Sequence, residues 1–313
     1  MRCWKIASLS GQENVAWIYV LASSFDDDVL IECVDALDPR YSPGEKWVII
    51  LSSQKGCPVK CRFCDAAFYY RGNLSHDELK EQLDIILANR AGQLDYLGSA
   101  KIKLHFARMG EPAFNEVVLN FLENLTREYP GMNFIPTVAT LAPAGCDSWF
   151  VRLKEIKDKY FAGGKFQLQF SMNSTDASYR DHMMPVKKWD FQQISDYGEW
   201  FFCPGDRKIT LNFALAEKAP FEAGKIMSLY NPGKFLIKIT PLNPTGSAAK
   251  AGLGSALKFD GHLNRSVAEE IDILERNGWE VIISIGTEEE IRVGSNCGQI
   301  ALRHINESLR TIC

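Results

Sequence analysis

The stretch of sequence that decides the fold is an apolar strand that leads directly into a cysteine-rich loop: Trp47-Val48-Ile49-Ile50-Leu51-Ser52-Ser53-Gln54-Lys55-Gly56-Cys57-Pro58-Val59-Lys60-Cys61-Arg62-Phe63-Cys64. A short, continuous apolar run followed by polar turn residues is typical of a strand buried on both faces. The three cysteines lie just beyond the end of that strand. Parallel α/β folds carry their chemistry on the loops at the carboxyl ends of strands, so we expect a site here.

Strand and helix patterns alternate along the rest of the chain. Ser75-His76-Asp77-Glu78 forms a capping box, which predicts a helix that begins there and ends near Asn89. Further apolar strands are predicted at residues 102–106, 134–139, 166–170, 209–213, 235–239 and 281–285. This alternation predicts a parallel sheet with right-handed crossovers, and about six such units suit a partial barrel of the α/β class.

The first part of the chain has a different pattern. Residues 15–21 and 29–34 alternate like extended strands and are separated by the acidic turn at 26–28. Two such segments joined by a turn predict an antiparallel hairpin. We therefore divide the chain into an N-terminal β-hairpin extension over residues 1–46 and an α/β core over residues 47–313.

Composition narrows the class of protein and its location. The chain has 313 residues, of which 46% are hydrophobic, and a net charge of −4. It can therefore bury one large core, and it has no overall attraction to nucleic-acid phosphates, although a local basic patch could still bind RNA. No signal peptide or membrane-spanning run is evident, so we expect no membrane contact. The nine cysteines are then expected in the reducing cytoplasm, where clustered cysteines favour metal binding or catalysis.

The spacing of Cys57, Cys61 and Cys64 favours an iron–sulfur site. A cubane cluster has four irons to ligate, so three local thiolates leave one iron open to a small molecule. Two alternatives remain. The cysteines could form a zinc site completed by His76 or His105, or they could be packing residues without a ligand.

The cysteine motif, with Phe63 before its last cysteine, resembles the signature of the radical-SAM superfamily. That resemblance implies a partial (β/α)6 radical-SAM barrel in which a [4Fe-4S] cluster binds S-adenosylmethionine (SAM) through its open iron. It also implies reductive cleavage of SAM to methionine and a 5'-deoxyadenosyl radical. A flavodoxin- or ferredoxin-type electron donor would have to reduce the cluster first.

Further motifs resemble one branch of this superfamily, the ribosomal-RNA methyltransferases that modify carbon 2 or carbon 8 of adenine. Ser52-Ser53-Gln54-Lys55-Gly56-Cys57 is similar to their entry into the cluster loop. Met109-Gly110-Glu111-Pro112 resembles a segment that contacts the SAM amino group, so Gly110 and Glu111 are implied cofactor residues. A carboxylate at a strand end is chemically suited to pair with an ammonium group.

Two later segments resemble SAM-binding segments of the same methyltransferases. Phe170-Ser171-Met172-Asn173 is similar to the segment that lines the SAM ribose, which implies roles for Ser171 and Asn173, although the family has histidine where this chain has Asn173. Ile239-Thr240-Pro241-Leu242-Asn243-Pro244 resembles a segment whose asparagine binds SAM, which implies that role for Asn243.

The resemblance also implies two catalytic residues. Gly294-Ser295-Asn296-Cys297-Gly298-Gln299 resembles the Cys-Gly-Gln loop of the methyltransferases, in which the cysteine carries a methyl group from SAM to the substrate. Cys297 takes that position here. Leu30-Ile31-Glu32 matches the hairpin strand that supplies a general base, which implies Glu32; a solvated hairpin charge is the alternative. The resemblance extends over about residues 12 to 303.

The sequence departs from the methyltransferase pattern in two respects. A second cysteine, which releases the methylated product in that family, is replaced by Ile50, and isoleucine cannot act as a nucleophile. Cys33 could substitute only if it faced the same side as Glu32, which alternation along a strand argues against. The helical RNA-contacting domain of the family also has no counterpart before the hairpin.

These observations leave three functions open. The leading prediction is a radical-SAM enzyme that transfers a methyl group through Cys297 to an RNA, a small molecule or a peptide. The second is a radical-SAM enzyme that abstracts a hydrogen atom from a small molecule or peptide without methyl transfer. The third is a non-catalytic protein that binds a cluster or zinc.

Overall fold

The computed structural model describes residues 2–26, 28–37, 41–42, 44–94 and 100–286, with the side chain of Phe68 excepted. Ten strands form one mixed sheet. In chain order they are β1 (Trp4–Gln12), β2 (Ala16–Ser23), β3 (Leu30–Leu37), β4 (Lys46–Leu51), β7 (Lys101–Phe106), β8 (Phe134–Thr140), β9 (Gln167–Ser171), β10 (Ile209–Leu215), β11 (Phe235–Pro241) and β12 (Val281–Ile283). Two short strands, β5 (Gln54–Gly56) and β6 (Tyr70–Asn73), pair separately beside the cysteine loop.

The strands of the large sheet follow one another in space in the order in which they occur in the chain. The first four are antiparallel neighbours, and the seven from β4 to β12 are parallel. No pairing joins β1 to β12 in the described part of the chain, so the parallel strands form an open, partial barrel. The predicted α/β architecture is confirmed.

Eight α-helices are described. They are α1 (His76–Asn89), α2 (Glu116–Glu128), α3 (Asp147–Tyr160), α4 (Ala177–Met183), α5 (Phe191–Phe201), α6 (Ala223–Leu229), α7 (Gly246–Lys250) and α8 (Arg265–Arg276). The predicted capping box opens α1: the Ser75 hydroxyl accepts from the Glu78 amide, and the Glu78 carboxylate accepts from the Ser75 amide. Among the described helices, none is both long and apolar enough to cross a membrane.

Alternation along the parallel strands separates an apolar outer face from a polar inner face. In β10, Leu211, Phe213 and Leu215 are buried in the core, whereas Asn212 and Ala214 line an internal cavity. Because successive side chains of a strand point to opposite faces, residues that line the cavity alternate with residues of the core.

The N-terminal prediction requires one correction. The chain before residue 46 forms a three-stranded antiparallel meander rather than a hairpin, because β1 pairs with β2 along its length. The next strand of the sheet, β4, pairs with β3 and belongs to the barrel. The proposed boundary between residues 46 and 47 therefore falls within a continuous sheet. Trp4 and Tyr19 also join the same hydrophobic core as the barrel.

Candidate active site

A cavity of about 570 Å³ occupies the inside of the partial barrel. The side chains that line it come from the strand interiors and from the loops that follow β4, β7, β9 and β11. Its lining includes all three predicted metal ligands and five predicted cofactor residues: Cys57, Cys61, Cys64, Gly110, Glu111, Ser171, Asn173 and Asn243. The fold therefore brings together residues that are separated by up to 186 positions in the chain.

The cysteine loop is held in place by backbone hydrogen bonds. The Cys57 amide donates to the Tyr69 carbonyl at 3.1 Å, and the Arg62 amide donates to the Met183 carbonyl at 3.0 Å. Gly56 has a φ of +82°, and a Cβ there would lie 1.7 Å from the Tyr69 carbonyl oxygen. The turn into the loop therefore requires glycine at this position.

The three thiols are electrostatically coupled. Burial, together with the charge of the neighbouring Cys64 thiolate, raises the pKa of Cys57 to about 12. Burial also raises the pKa values of Cys61 and Cys64, and Cys61 interacts with both of the other cysteines. Cationic iron would offset this mutual repulsion, so metal binding must release protons.

Within the described ranges, no three histidine, cysteine or carboxylate side chains converge closely enough to hold one metal ion. A cubane binds each thiolate through a different iron, so it requires three thiols spaced around a common volume. His76 lies on α1, 3.3 Å from Glu128, and His105 lies inside β7. Neither histidine therefore supports the zinc alternative.

Glu111 is oriented by a set of hydrogen bonds at the end of β7. Its carboxylate accepts from the Leu141 amide at 3.0 Å, the Ala113 amide at 3.1 Å and the Thr140 hydroxyl at 2.5 Å. Burial nevertheless raises the pKa of Glu111 to about 7, although these hydrogen bonds lower it. A positively charged ligand at this carboxylate would favour its ionised form.

Gly110 allows the Glu111 segment to approach the strand β5. Its φ is +104°, and a Cβ would lie 2.6 Å from the Ser53 hydroxyl oxygen and 2.7 Å from the Gln54 Cβ. Gln54 then accepts the Glu111 amide at 2.8 Å. The two predicted motifs, one before the cysteines and one after β7, are thus bound to each other directly.

Ser171 is the last residue of β9 and Asn173 lies in the loop after it, but the Asn173 side chain already forms a hydrogen bond within the protein. Asn173 adopts a left-handed backbone conformation with φ +60°. Its side-chain oxygen accepts from the Ala214 amide at 3.0 Å, which fastens the loop after β9 to β10. Any contact with a cofactor has to be made alongside this bond.

Asn243 lies on the loop after β11, and that loop is tied to the cysteine loop. The Thr245 hydroxyl donates to the Phe63 carbonyl at 2.8 Å. Asp65, which directly follows the last cysteine, accepts from the Gly246 and Ser247 amides at 3.1 and 2.8 Å. These bonds join the cysteine loop, which follows β4, to the loop after β11.

Glu32, for which the resemblance implies the role of a general base, takes part in a buried ion pair. Its side chain is fully buried, and it pairs with Arg108 at 2.7 Å. Arg108 lines the cavity, whereas Glu32 is not among the residues that line it. A base role for Glu32 would require this ion pair to open, so it stays a prediction. The alternative of a solvated hairpin charge is wrong, because the carboxylate has no exposure.

Ile50 lines the cavity at the position of the missing cysteine. Its cross-strand neighbour is Val34, and the adjacent Cys33 is buried in the main hydrophobic core on the other face of the sheet. Cys33 is therefore not placed to replace the missing thiol. Cys297 lies outside the described residues.

Sequence reasoning missed four residues that position the site. Gln54, Asp65 and Thr140 hold the motif loops, and Arg180 donates to the Leu141 and Trp189 carbonyls at 2.9 and 2.7 Å. Asp65 was detectable as an acidic residue beside the cysteines. The partners of Thr140 and Arg180 lie in distant loops, and nothing local in the sequence indicates them.

No protein-family model matches the chain. Three curated relatives carry the name probable dual-specificity RNA methyltransferase RlmN. The protein of Petrotoga mobilis is 23% identical over 279 residues, which cover 86% of this chain and 72% of that protein. That of Cutibacterium acnes is 24% identical over 275 residues, 83% of this chain and 63% of that protein. That of Desulfitobacterium hafniense is 27% identical over 282 residues, which cover 88% of this chain and 72% of that protein.

A solved structure also shares the fold. The crystal structure of Streptococcus suis SuiB bound to S-adenosylmethionine matches with a TM-score of 0.51 at 13% sequence identity, covering 78% of this chain and 51% of that chain. At this level of identity the match concerns the fold. This chain spans about half the length of that protein.

Proposed function

We propose that this chain, a radical-SAM enzyme related to the dual-specificity RNA methyltransferases, transfers a methyl or methylene group from SAM to its substrate through Cys297. Its cofactors are a [4Fe-4S] cluster and SAM. The observation that carries the proposal is the convergence of three coupled thiols and an oriented carboxylate on one cavity inside the barrel. When bound, the cluster and SAM would supply one-electron cleavage of the sulfonium bond.

Different residues of the cavity would hold the cluster and bind SAM. Cys57, Cys61 and Cys64 would hold the cluster at the barrel mouth, where their loop is fixed by Asp65. Glu111 would bind the SAM amino group, since both of its oxygens already have fixed orientations. Gly110, Ser171, Asn173 and Asn243 would shape the rest of the SAM site.

The substrate is proposed to differ from that of the RNA-methylating relatives. Ile50 in the cavity wall removes the thiol that resolves the methylated intermediate in the family. The net charge of −4 also gives no general attraction to RNA. A small molecule or peptide therefore fits better than RNA, and methylation of bare ribosomal-RNA fragments by the purified enzyme would contradict this part of the proposal.

Ile50 also favours a second candidate function. Without a resolving thiol, an enzyme with the same cavity could abstract a hydrogen atom from its substrate and transfer no carbon. This reaction needs the cysteines and Glu111 but not the methyl-carrier role of Cys297. It predicts 5'-deoxyadenosine as the sole SAM-derived nucleoside product.

The two functions are distinguished by the products made from SAM. The enzyme is reconstituted anaerobically with iron and sulfide, then incubated with SAM and a reductant, beside Cys297→Ala and a Cys203→Ala control. Methyl transfer predicts S-adenosylhomocysteine and a methyl-sized mass gain on the Cys297 peptide, both lost only in Cys297→Ala. Deoxyadenosine alone, at equal rates in all three proteins, would replace the leading proposal by the second.

Cellular requirements follow from the same chemistry. A flavodoxin- or ferredoxin-type protein is proposed as the electron donor. The cytoplasm is the proposed location, because all seven cysteines in the described part of the chain have free thiols and a reducing compartment keeps thiols in that state.

A further inference from the structure

The loop that carries the three cysteines has a different character on its two sides. Val59, Cys61 and Phe63 line the cavity. The residues between them, Lys60 and Arg62, are not part of the cavity lining, and both are exposed. The loop therefore presents a cysteine and apolar side chains to the cavity, and two cations to the solvent.

The strand that pairs with the start of this loop adds a third cation. β6 pairs with β5, and the Cys57 amide donates to the Tyr69 carbonyl at 3.1 Å. Arg71 lies on β6, two residues beyond Tyr69, and is exposed. It is not part of the cavity lining either. Lys60, Arg62 and Arg71 are together termed the basic surface.

Neighbouring carboxylates do not balance the charge of the basic surface. Among the described residues, no carboxylate pairs with Lys60, Arg62 or Arg71. The Arg62 guanidinium contacts the His182 ring instead. Asp65, the only carboxylate in the cysteine loop itself, is buried and accepts two backbone amides. The three exposed cations are therefore available to an anionic partner.

Two further charged pairs beside the basic surface are internally balanced. Lys55 pairs with Glu78 at 2.7 Å. Asp181, which precedes His182, pairs with Lys188. Each pair is neutral as a whole, so neither cancels the charge of the basic surface. The surface is thus a local positive region in a chain whose net charge is −4.

The position of this charge favours a partner that stays outside the cavity. A substrate has to reach the inside of the barrel, and an RNA substrate would have to deliver its reacting base there. An electron donor has only to approach the cluster, and Lys60 and Arg62 are the direct neighbours of Cys61. Electron-transfer encounters bury little surface, and complementary charge steers them. Three unbalanced cations on the outer side of the loop suit an acidic protein of this kind.

We propose that Lys60, Arg62 and Arg71 form the docking surface for the electron donor of this enzyme, an acidic protein that carries single electrons. The inference rests on the radical-SAM function proposed above, because that function requires reduction of the cluster. The docked donor loses one electron and the cluster gains it, and no bond forms or breaks in this step. The cavity stays open to SAM and substrate while the donor is bound.

The test compares reduction of the reconstituted cluster by protein donors and by a small molecule. Reduced flavodoxin and reduced ferredoxin are the acidic protein probes, and reduced methyl viologen, a small cation, is the reference reductant. Stopped-flow loss of cluster absorbance gives the second-order rate constant for each reductant over a series of salt concentrations. Binding of oxidised flavodoxin is titrated calorimetrically in the same buffers.

The variants either reverse or preserve the charge of the basic surface. Lys60→Glu, Arg62→Glu and Arg71→Glu are made singly and together, and Lys60→Arg keeps the charge. The matched control is Arg265→Glu, which makes the same charge reversal at an exposed residue of α8. Thermal unfolding and iron content show that each variant is folded and carries its cluster.

The proposal predicts that charge reversal slows reduction by the protein donors alone. The triple variant should react with flavodoxin at least about tenfold more slowly at low salt, since electrostatic steering raises association rates by roughly 10- to 1,000-fold. Added salt should lower the wild-type rate toward that of the triple variant. Lys60→Arg and Arg265→Glu should match the wild type, and no variant should slow the reaction with methyl viologen.

Four results would overturn the docking surface. They are a wild-type cluster that methyl viologen reduces and neither protein donor does, donor rates that the triple variant leaves unchanged, an equal loss in Arg265→Glu, and an equal loss with methyl viologen. Binding of an RNA hairpin that the triple variant loses, with donor reduction intact, would assign the surface to nucleic acid instead.

Failure of the underlying function has a separate signature. A wild type whose cluster methyl viologen reduces, but which forms no 5'-deoxyadenosine from SAM, would refute the radical-SAM function whatever the docking rates are. Normal 5'-deoxyadenosine formation together with any of the overturning results above would refute the docking surface alone.

Discussion

The carboxylate of Asp65 accepts the backbone amides of Gly246 and Ser247, at 3.1 and 2.8 Å. Asp65 follows the third cysteine of the cluster loop, and Ser247 belongs to α7 after the last long barrel strand. One side chain thereby links the first loop of the barrel to the loop that carries Asn243. The link holds the proposed cluster and SAM sites in a fixed relation.

Substitution of Asp65 should therefore loosen the cluster without changing its ligands. We expect Asp65→Ala to lower the free energy of unfolding by about 1–2 kcal/mol, because a carboxylate that caps backbone amides is lost. We also expect faster loss of iron to a chelator, followed by the decay of cluster absorbance. Asp272→Ala, on the exposed face of α8, should leave both unchanged. Equal chelation rates for the two variants would contradict the link.

The position of Glu111 predicts a pH dependence of SAM binding. Burial raises the pKa of this carboxyl to about 7, so it is mostly protonated at pH 6 and mostly ionised at pH 8. If the ionised form binds the SAM amino group, affinity should rise as the pH increases through about 7 and approach a plateau near pH 8. Equilibrium binding of SAM to the unreduced holoenzyme between pH 6 and 8 measures this. Glu111→Gln should bind about tenfold more weakly at pH 8 and show a flat profile.

The same shift affects the stability of the protein without SAM. A carboxyl whose folded pKa is raised contributes stability that is present below its ordinary pKa, near 4.5, and is lost as the pH rises toward 7. Bound SAM should remove this loss. A wild-type SAM affinity that falls between pH 6 and 7 would show that the neutral carboxyl is the binding form.

The opposite orientations of Ile50 and Cys33 predict different chemical accessibility. Ile50 lines the cavity, while Cys33 is fully buried in the core with its pKa raised by burial. In cluster-loaded Ile50→Cys, a small thiosulfonate reagent should label the introduced thiol at least tenfold faster than Cys33. Peptide mass mapping resolves the two sites. Comparable labelling of Cys33 would show that β3 has the other register and could offer the missing thiol.

Arg180 should be more important for stability than its position outside the motifs suggests. Its guanidinium is buried and donates to the carbonyls of Leu141 and Trp189, and Leu141 in turn binds Glu111. Burial lowers its pKa to about 10, so it stays charged at neutral pH. Arg180→Met should lower the unfolding free energy by roughly 2–4 kcal/mol, since charged hydrogen bonds are lost and carbonyls are left unpaired. Urea unfolding measures this, with the exposed Arg276→Met as control.

The fold was largely predictable because its strands are regular and apolar on the outer face. The predicted strand near residues 209–213 corresponds to β10, Ile209–Leu215, and the capping box at Ser75 fixes the start of α1. The strand β1 was missed because its exposed edge-strand pattern lacks a continuous apolar run. Its formation depends on pairing with β2, which is not a local property of the sequence.

The site was predictable only where residue type and spacing carry the chemistry. Cys57, Cys61 and Cys64 are recognisable from their spacing, and Glu111 from its neighbours in the motif. The roles of Thr140 and Arg180 could not be predicted, because the groups that they contact, the Glu111 carboxylate and the Leu141 carbonyl, are far away in the sequence.

The most direct test of the central claim is whether SAM cleavage depends on the three cysteines. Wild type, the single alanine variants of Cys57, Cys61 and Cys64, and a Cys203→Ala control are reconstituted anaerobically, and iron, sulfide and 5'-deoxyadenosine are quantified. The account predicts about four irons and four sulfides per chain in the wild type and the control, with deoxyadenosine formed from SAM, and loss of deoxyadenosine in each of the three variants. Deoxyadenosine formation that survives any of these substitutions, or a fully loaded wild type that cleaves no SAM, would contradict it.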